Sequence, residues 1–171
     1  MGQVLMLLFA TAYGIIALSF KYYGETITYL CFSAPMALVA LITWLKNPYK
    51  GKKTQVEISD VTYKTVLGIF AFATGFTIVG YFVLTAIGTT NILPSTLSLF
   101  TSAVAVGFSA KRSPYFAISY AVNDIVLIVL WSMATKVDIS YLSVVICFSA
   151  FLVNDTYSFI NWRRIKKQQR N

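Results

Sequence analysis

The sequence predicts an all-α integral membrane protein with six transmembrane helices, and three observations carry that prediction. Of its 171 residues 57% are hydrophobic and only 12% are charged, against roughly a quarter charged in soluble domains. Mean hydropathy is +0.70. A soluble domain near 150 residues still exposes about 30% of its unfolded surface, too much for so apolar a chain to present to water. The apolar residues also fall in continuous runs of about 20, enough to cross ~30 Å of hydrocarbon. Only helices and closed barrels can span, and barrel strands would alternate.

The first run, Gly2 to Phe20, carries no Lys or Arg. It lacks the basic start of a signal peptide, although Ala10-Thr11-Ala12 resembles a cleavage site, and MGQVLM departs from the myristoylation pattern at its sixth position. The second runs from Glu25 to Leu45. Lys46 to Thr62 (KNPYKGKKTQVEISDVT) is the one hydrophilic loop. Its Gly51-Lys52-Lys53-Thr54 lacks the upstream glycine of a phosphate-binding loop and reads as solvated and basic. Tight connections then join Tyr63 to Thr89, Ile92 to Ala110, Pro114 to Ala134 and Ile139 to Trp162. Residues 163–171 form a basic tail, and the whole of 1–171 reads as one polytopic domain.

Charge orients the bundle. The formal net charge is +8, from 14 Lys+Arg against 6 Asp+Glu. Alternating the six runs across the membrane places nearly all of the basic residues on the side of the 46–62 loop and the tail. The opposite side holds only Lys21 and Lys136. Positive charge marks the cytoplasmic side, so the loop and C-terminus are expected in the cytoplasm. Topology and attraction to anionic lipid account for the basic tail without nucleic acid. The chain has no histidine, which excludes imidazole metal sites, HExxH proteases and Ser-His-Asp triads. Cys31 and Cys147 lie inside apolar runs, so no disulfide framework is expected. Asn154-Asp155-Thr156 has the form of a glycosylation sequon but lies at membrane depth. No cofactor is implied.

Two acids, Asp124 and Asp155, sit well inside the runs, and each follows an asparagine. A carboxylate at mid-bilayer costs ~2.5–3.5 kcal/mol on insertion scales, so such residues mark substrate or ion pathways. Each aspartate also has a tryptophan seven residues on, Trp131 and Trp162. Helical spacing puts Tyr120, Asn123, Asp124, Leu127 and Trp131 on one face, and Phe151, Asn154, Asp155, Ser158 and Trp162 on another. The two aspartates fall at similar depths at 1.5 Å per residue. Asn91, Ser95, Ser98 and Ser102, and Thr74, Thr77, Tyr81 and Thr85, add hydroxyl faces that serve either as helix glue or as cleft lining. Trp162 reads as an interfacial anchor. The expected site residues are Tyr120, Asn123, Asp124, Trp131, Asn154, Asp155 and Ser158. Aromatic faces with amide and carboxylate partners suit a planar heterocycle on a sugar.

SPYFAISYAVNDIVLIVLW and FLVNDTYSFINWRR resemble the PnuC family of nicotinamide riboside transporters, in the form seen in Gram-positive bacteria. LPSTLS at Leu93 to Ser98, Tyr23-Gly24-Glu25, and Pro35-Met36 with Trp44 are further similar positions. The resemblance implies a seven-helix, 3-1-3 bundle related to the SWEETs, with an outside N-terminus and a cytoplasmic C-terminus. The six runs would then be helices two to seven, the first being absent. It further implies a bacterial plasma-membrane protein, a trimeric homo-oligomer, and facilitated uptake of nicotinamide riboside for NAD biosynthesis, drawn inward by phosphorylation of the cargo. By that resemblance Asn123, Asp124, Asn154 and Asp155 match substrate-contacting or pathway positions. The WxxW of many members is replaced here by YFAISY, leaving Tyr115, Phe116 and Tyr120 as candidate stacking rings. The rival readings are thiamine or another nucleoside as cargo, an intramembrane aspartyl enzyme, for which a GxGD-type segment is missing, and a helical scaffold without transport.

Overall fold

The computed structural model describes residues 2–19, 23–89 and 91–170, with the side chains of residues 2 and 52–54 outside the description. Six helices follow one another: α1 (Gly2–Ser19), α2 (Tyr23–Lys46), α3 (Tyr63–Ala86), α4 (Ile92–Ala110), α5 (Tyr115–Thr135) and α6 (Leu142–Arg170). Five of them are long and apolar enough to cross a membrane, and the apolar helix Gln3–Ser19 is shorter. α5 packs most extensively, against both α4 and α6, while α3 packs on α4, and α2 packs on α1 and α4.

Local chemistry sets the breaks. Pro35 inside α2 lacks an amide hydrogen, and its ring would strike the carbonyl four residues back. The helix meets this with a π-helical segment, Ile27–Ser33, immediately upstream. Wider turns of this kind re-seat freed backbone groups within the membrane. α3 stops at Gly88, which adopts φ +67°, while Gly88 N donates to Thr85 O and Thr89 N to Leu84 O. That is the glycine-terminated cap in which the left-handed residue lets the last carbonyls find donors.

Small residues let the helices approach. A methyl group at Gly80 would lie 2.0 Å from Leu99 Cδ2, and one at Gly107 would lie 2.8 Å from Ile69 Cγ2, so α3 and α4 meet where no side chain intervenes. Ile69, Ala73, Ala103, Val104 and Phe108 form the apolar core there. A second core joins α1, α2, α5 and α6 through Tyr13, Tyr29, Leu127, Leu130, Trp131 and Phe148. The outer faces of α3 and α6 stay apolar and exposed, with Leu67, Phe72 and Val79 on one and Ile146, Val153 and Ile160 on the other. Apolar surface on that scale belongs against lipid.

The start of α1 and the ends of α2 and α4 meet at the basic end. Gln3 Nε2 donates to Ser109 Oγ at 3.1 Å, and Trp44 Nε1 donates to the Ser109 carbonyl at 3.0 Å. Segment 46–62 is more than a loop. It contains an antiparallel hairpin of β1 (Pro48–Tyr49) and β2 (Lys52–Val56). Lys50 and Gly51, at φ 47° and 75°, supply the two left-handed residues of a two-residue hairpin turn. The sequence expected residues 163–171 to be a tail; instead α6 stays helical to Arg170, because hairpin contacts hold its end. Gln169 Oε1 accepts from Ile58 N, Gln169 Nε2 donates to Val56 O, and Asp60 pairs with both Lys166 and Arg170.

The expected runs otherwise shift by a few residues at their ends. α2 begins at Tyr23, α3 ends at Ala86 under its glycine cap, α5 covers Tyr115–Thr135, and Ile139–Tyr141 is a short 3-10 turn before α6. Phe20, Lys21 and Asn171 lie outside the described residues.

Candidate functional site

The polar site is built around α5. Asn123 and Asp124 are buried, only 3% and 4% exposed, on the face turned to α4 and α2. Asn123 Oδ1 accepts two hydrogen bonds from α4, from Thr101 Oγ1 at 2.7 Å and Ser102 Oγ at 3.0 Å. Both lone pairs of the amide oxygen are thereby used, which fixes the side-chain orientation and leaves its NH₂ as a donor. Tyr29, from the π-helical segment of α2, lies against Asn123 and within electrostatic range of Glu25, Asp124 and Tyr120.

Asp124 has a different status. Its Oδ2 finds no hydrogen-bond partner among the described residues, and neither do Glu25 Oε2 or Ser98 Oγ. Buried polar atoms are normally paired, so unpaired carboxylate oxygens at this depth are groups available to a ligand. Asp155 on α6 is near enough to Asp124 for the two carboxylates to repel, and Tyr120 lies within range of both. Tyr120, Asn123, Asp124 and Asp155 thus form one cluster. No Lys or Arg lies within it; the described basic residues sit at the helix ends or in the connections.

The second Asn-Asp pair is placed less deeply. Asn154 is exposed and spends its Nδ2 on the neighbouring Asp155 Oδ1 at 3.1 Å, while Asp155 and Ser158 are half-buried. The reason is packing: α6 meets α5 on one side and offers its other faces outward. Trp131 is fully buried, edge-on to Tyr13 at 6.0 Å and tilted against Tyr141 at 5.4 Å between centroids. It is a wall of the site rather than an open stacking surface. Of the hydroxyl face expected on Thr74, Thr77, Tyr81 and Thr85, only Thr77 is half-buried, its Oγ1 covered; the other three turn outward, and Thr74 and Thr85 bond the carbonyls four residues back. A hydroxyl satisfied within its own helix can face lipid. Ser95, Ser98 and Ser102 of α4 are buried as a cleft lining requires.

Aromatic layers flank the cluster. Toward the end opposite the basic one, Tyr13 and Tyr29 pack at 4.4 Å with Trp131 beside them. Toward the basic end, Trp162 packs on Trp44 at 5.0 Å and on Phe116 at 4.8 Å. Of the three candidate rings in YFAISY, Tyr115 is exposed, Phe116 belongs to the basic-end layer, and Tyr120 alone sits beside the carboxylates.

Sequence reasoning placed Glu25 at a span end; the fold buries it to 2% exposure. The four-residue spacing of Glu25 and Tyr29 was its available signal. Tyr13 and Thr101 carried none, because each acquires polar neighbours only through tertiary packing.

Comparisons with known proteins agree with this architecture. The family model for the nicotinamide mononucleotide transporter matches residues 1–164. A solved structure described as the crystal structure of the vitamin B3 transporter PnuC superposes with a TM-score of 0.81 at 22% identity, covering 98% of this chain and 73% of that one. No curated protein matches the chain.

Proposed function

The chain belongs to the nicotinamide mononucleotide transporter family, a multi-pass membrane transporter rather than an enzyme, and from that premise we propose that its cargo is the cationic riboside of nicotinamide. One observation carries this reading: buried Asp124 has an unpaired carboxylate oxygen, half-buried Asp155 stands beside it, and among the described residues no Lys or Arg lies in their cluster. A pyridinium ring supplies the missing positive charge. Tyr120 offers a face for cation–π contact, and the NH₂ of Asn123 offers a donor to the carboxamide oxygen. The similar solved structure is described as a vitamin B3 transporter, which supports the same cargo class.

The family's name speaks of the mononucleotide, whose phosphate adds a charge of about −1.5 to −2 by analogy with phosphorylated side chains. Phosphate sites ordinarily supply Arg, Lys or a glycine-rich helix N-terminus. A phosphate brought among these carboxylates would be desolvated and unpaired. Calorimetry on the purified protein should therefore find the riboside binding at least ~100-fold more tightly than the mononucleotide, a gap of about 2.7 kcal/mol. Equal affinities would overturn the reading. Thiamine, a cation without ribose, is the third arm of the titration, and tighter binding of thiamine than riboside would reassign the cargo.

The working mechanism is facilitated diffusion by alternating access. The two aromatic layers act as outer and inner closures around the carboxylate cluster. In the described conformation both are packed. No ATP site is part of the reading, and the trimer implied by resemblance is the working assembly, to be read by native mass spectrometry.

The basic end is the cytoplasmic one in this reading, by the positive-inside rule. In a Cys31→Ala/Cys147→Ala background, a cysteine placed at Lys136 should label from outside intact cells. Cysteines at Lys53 and Arg170 should not. Outside labelling at position 53 would reverse the orientation.

A further inference from the structure

A cavity of about 370 Å³ opens at the basic end between the start of α5 and the last turns of α6, lined by Pro114, Tyr115, Arg163, Lys166, Lys167 and Arg170. We propose that this cavity is a binding site for a phosphate-bearing anion, distinct from the cargo site inside the bundle.

Four observations support it. Residues 163, 166, 167 and 170 follow the i, i+3, i+4, i+7 spacing that puts side chains on one helical face, and that face closes one wall of the cavity. Among the described residues the four cations meet a single acid, Asp60, which pairs with Lys166 and Arg170. Arg163 lies over the Phe159 ring at 5.7 Å, a contact that leaves its charge uncancelled, and Lys167 has no carboxylate partner among the described residues. The opposite wall is the N-terminal end of the 21-residue α5, whose macrodipole is positive there.

Depth fits as well. Counting ~20 residues for the hydrocarbon from Leu142, positions 163–170 reach the headgroup layer. Basic pockets between helices at that level hold anionic headgroups. The pocket's chemistry is that of a phosphate monoanion or dianion, whether carried by a phospholipid or free in solution. A zwitterionic headgroup would bring its own ammonium against four cations.

Native mass spectrometry of the full chain, with phosphatidylglycerol and phosphatidylcholine at equal concentration, tests the proposal. Phosphatidylglycerol should be retained preferentially. Arg163→Gln/Lys167→Gln, which leaves the Asp60 pairs intact, should lower that retention on the order of tenfold, two of the protein's cations facing the headgroup being removed. Lys50→Gln/Lys64→Gln removes equal charge elsewhere at the basic end and should change it little. Lys167→Gln alone, at an exposed side chain, should cost roughly threefold or more and serves if the double variant fails to fold. Inorganic phosphate is then titrated in. Retention that survives millimolar phosphate identifies the lipid headgroup as the source, and displacement identifies a soluble phosphate. Equal retention of the two lipids, or equal losses from both double variants, would overturn the site.

Discussion

Asn123-Asp124 and Asn154-Asp155 share the tripeptide Val-Asn-Asp, yet the fold treats them oppositely. On α5, packed between α4 and α6, the asparagine is pinned by two hydroxyls and the aspartate is buried with an unpaired oxygen. On α6, the asparagine is exposed and bonds only the aspartate beside it. A motif supplies functional groups, and the neighbouring helices decide which become fixed donors and which remain peripheral. Asp155 lies close to Asp124, whereas Asn154 is exposed and meets the cluster through Asp155.

The largest expected difference lies between the aspartates. Asp124→Ala should lower riboside uptake into proteoliposomes at least tenfold, about 1.4 kcal/mol in binding, with normal insertion because a buried polar group is removed. Asp155→Ala should cost less, its side chain being half-buried and already bonded to Asn154. If the two losses are equal, the second pair is as much a part of the site as the first. If Asp124→Ala destroys folding while the surviving protein binds normally, the carboxylate is helix glue.

The asparagines should separate in stability. Asn123→Ala removes the interhelical acceptor of Thr101 and Ser102, although Thr101 keeps the Leu97 and Ser98 carbonyls of its own helix, and at about 0.6 kcal/mol for each interhelical bond the loss is at most roughly 1 kcal/mol. Asn154→Ala should be neutral. A double-mutant cycle with Thr101→Val/Ser102→Ala, followed by reversible unfolding in mixed micelles, measures the coupling. Additive effects would mean that the α4 hydroxyls do not hold Asn123.

The sequence carried the number and order of the helices, because hydropathy over 20 residues is a solvent property that tertiary contacts do not alter. It also carried Asp124, because a carboxylate in a membrane run is costly wherever it lands. It did not carry Glu25, placed at a run's edge but buried by α2 packing, nor the outward turn of Thr74 and Thr85, whose bonds are local. The π-helical segment before Pro35 was hidden too: the proline announces a lost hydrogen bond, and the neighbouring helices determine how the chain absorbs it. Trp131 and Trp162 sit at equal offsets from their aspartates, but one is walled in by Tyr13 and Tyr141 and the other packs into the aromatic layer at the basic end. Offsets along one helix say nothing about which rings the next helix brings.

The smallest expected effect concerns how the hairpin follows α6. Lys166 and Arg170 hold the Asp60 carboxyl below its ordinary value of 3.8, mainly by hydrogen bonding to the carboxylate. A lowered pKa stabilises the clamp above the unfolded value, and that stability is lost as pH falls through the folded one. The clamp should therefore be unchanged between about pH 5 and 8, where a free carboxyl is already ionised, and should loosen only below 3.8. Both side chains of the Asp60–Arg170 pair are well exposed, so the loss should be small, ~0.2–1 kcal/mol for exposed pairs, and the Gln169 bonds to Ile58 and Val56 remain. Spin labels at Glu57→Cys and Gln168→Cys, with Cys31 and Cys147 replaced by Ala, report the separation. Their distance distribution should stay narrow from pH 8 to 5 and broaden only below 3.8. Asp60→Asn should show the broad distribution already at neutral pH. A narrow distribution in Asp60→Asn would mean that Gln169 alone holds the hairpin.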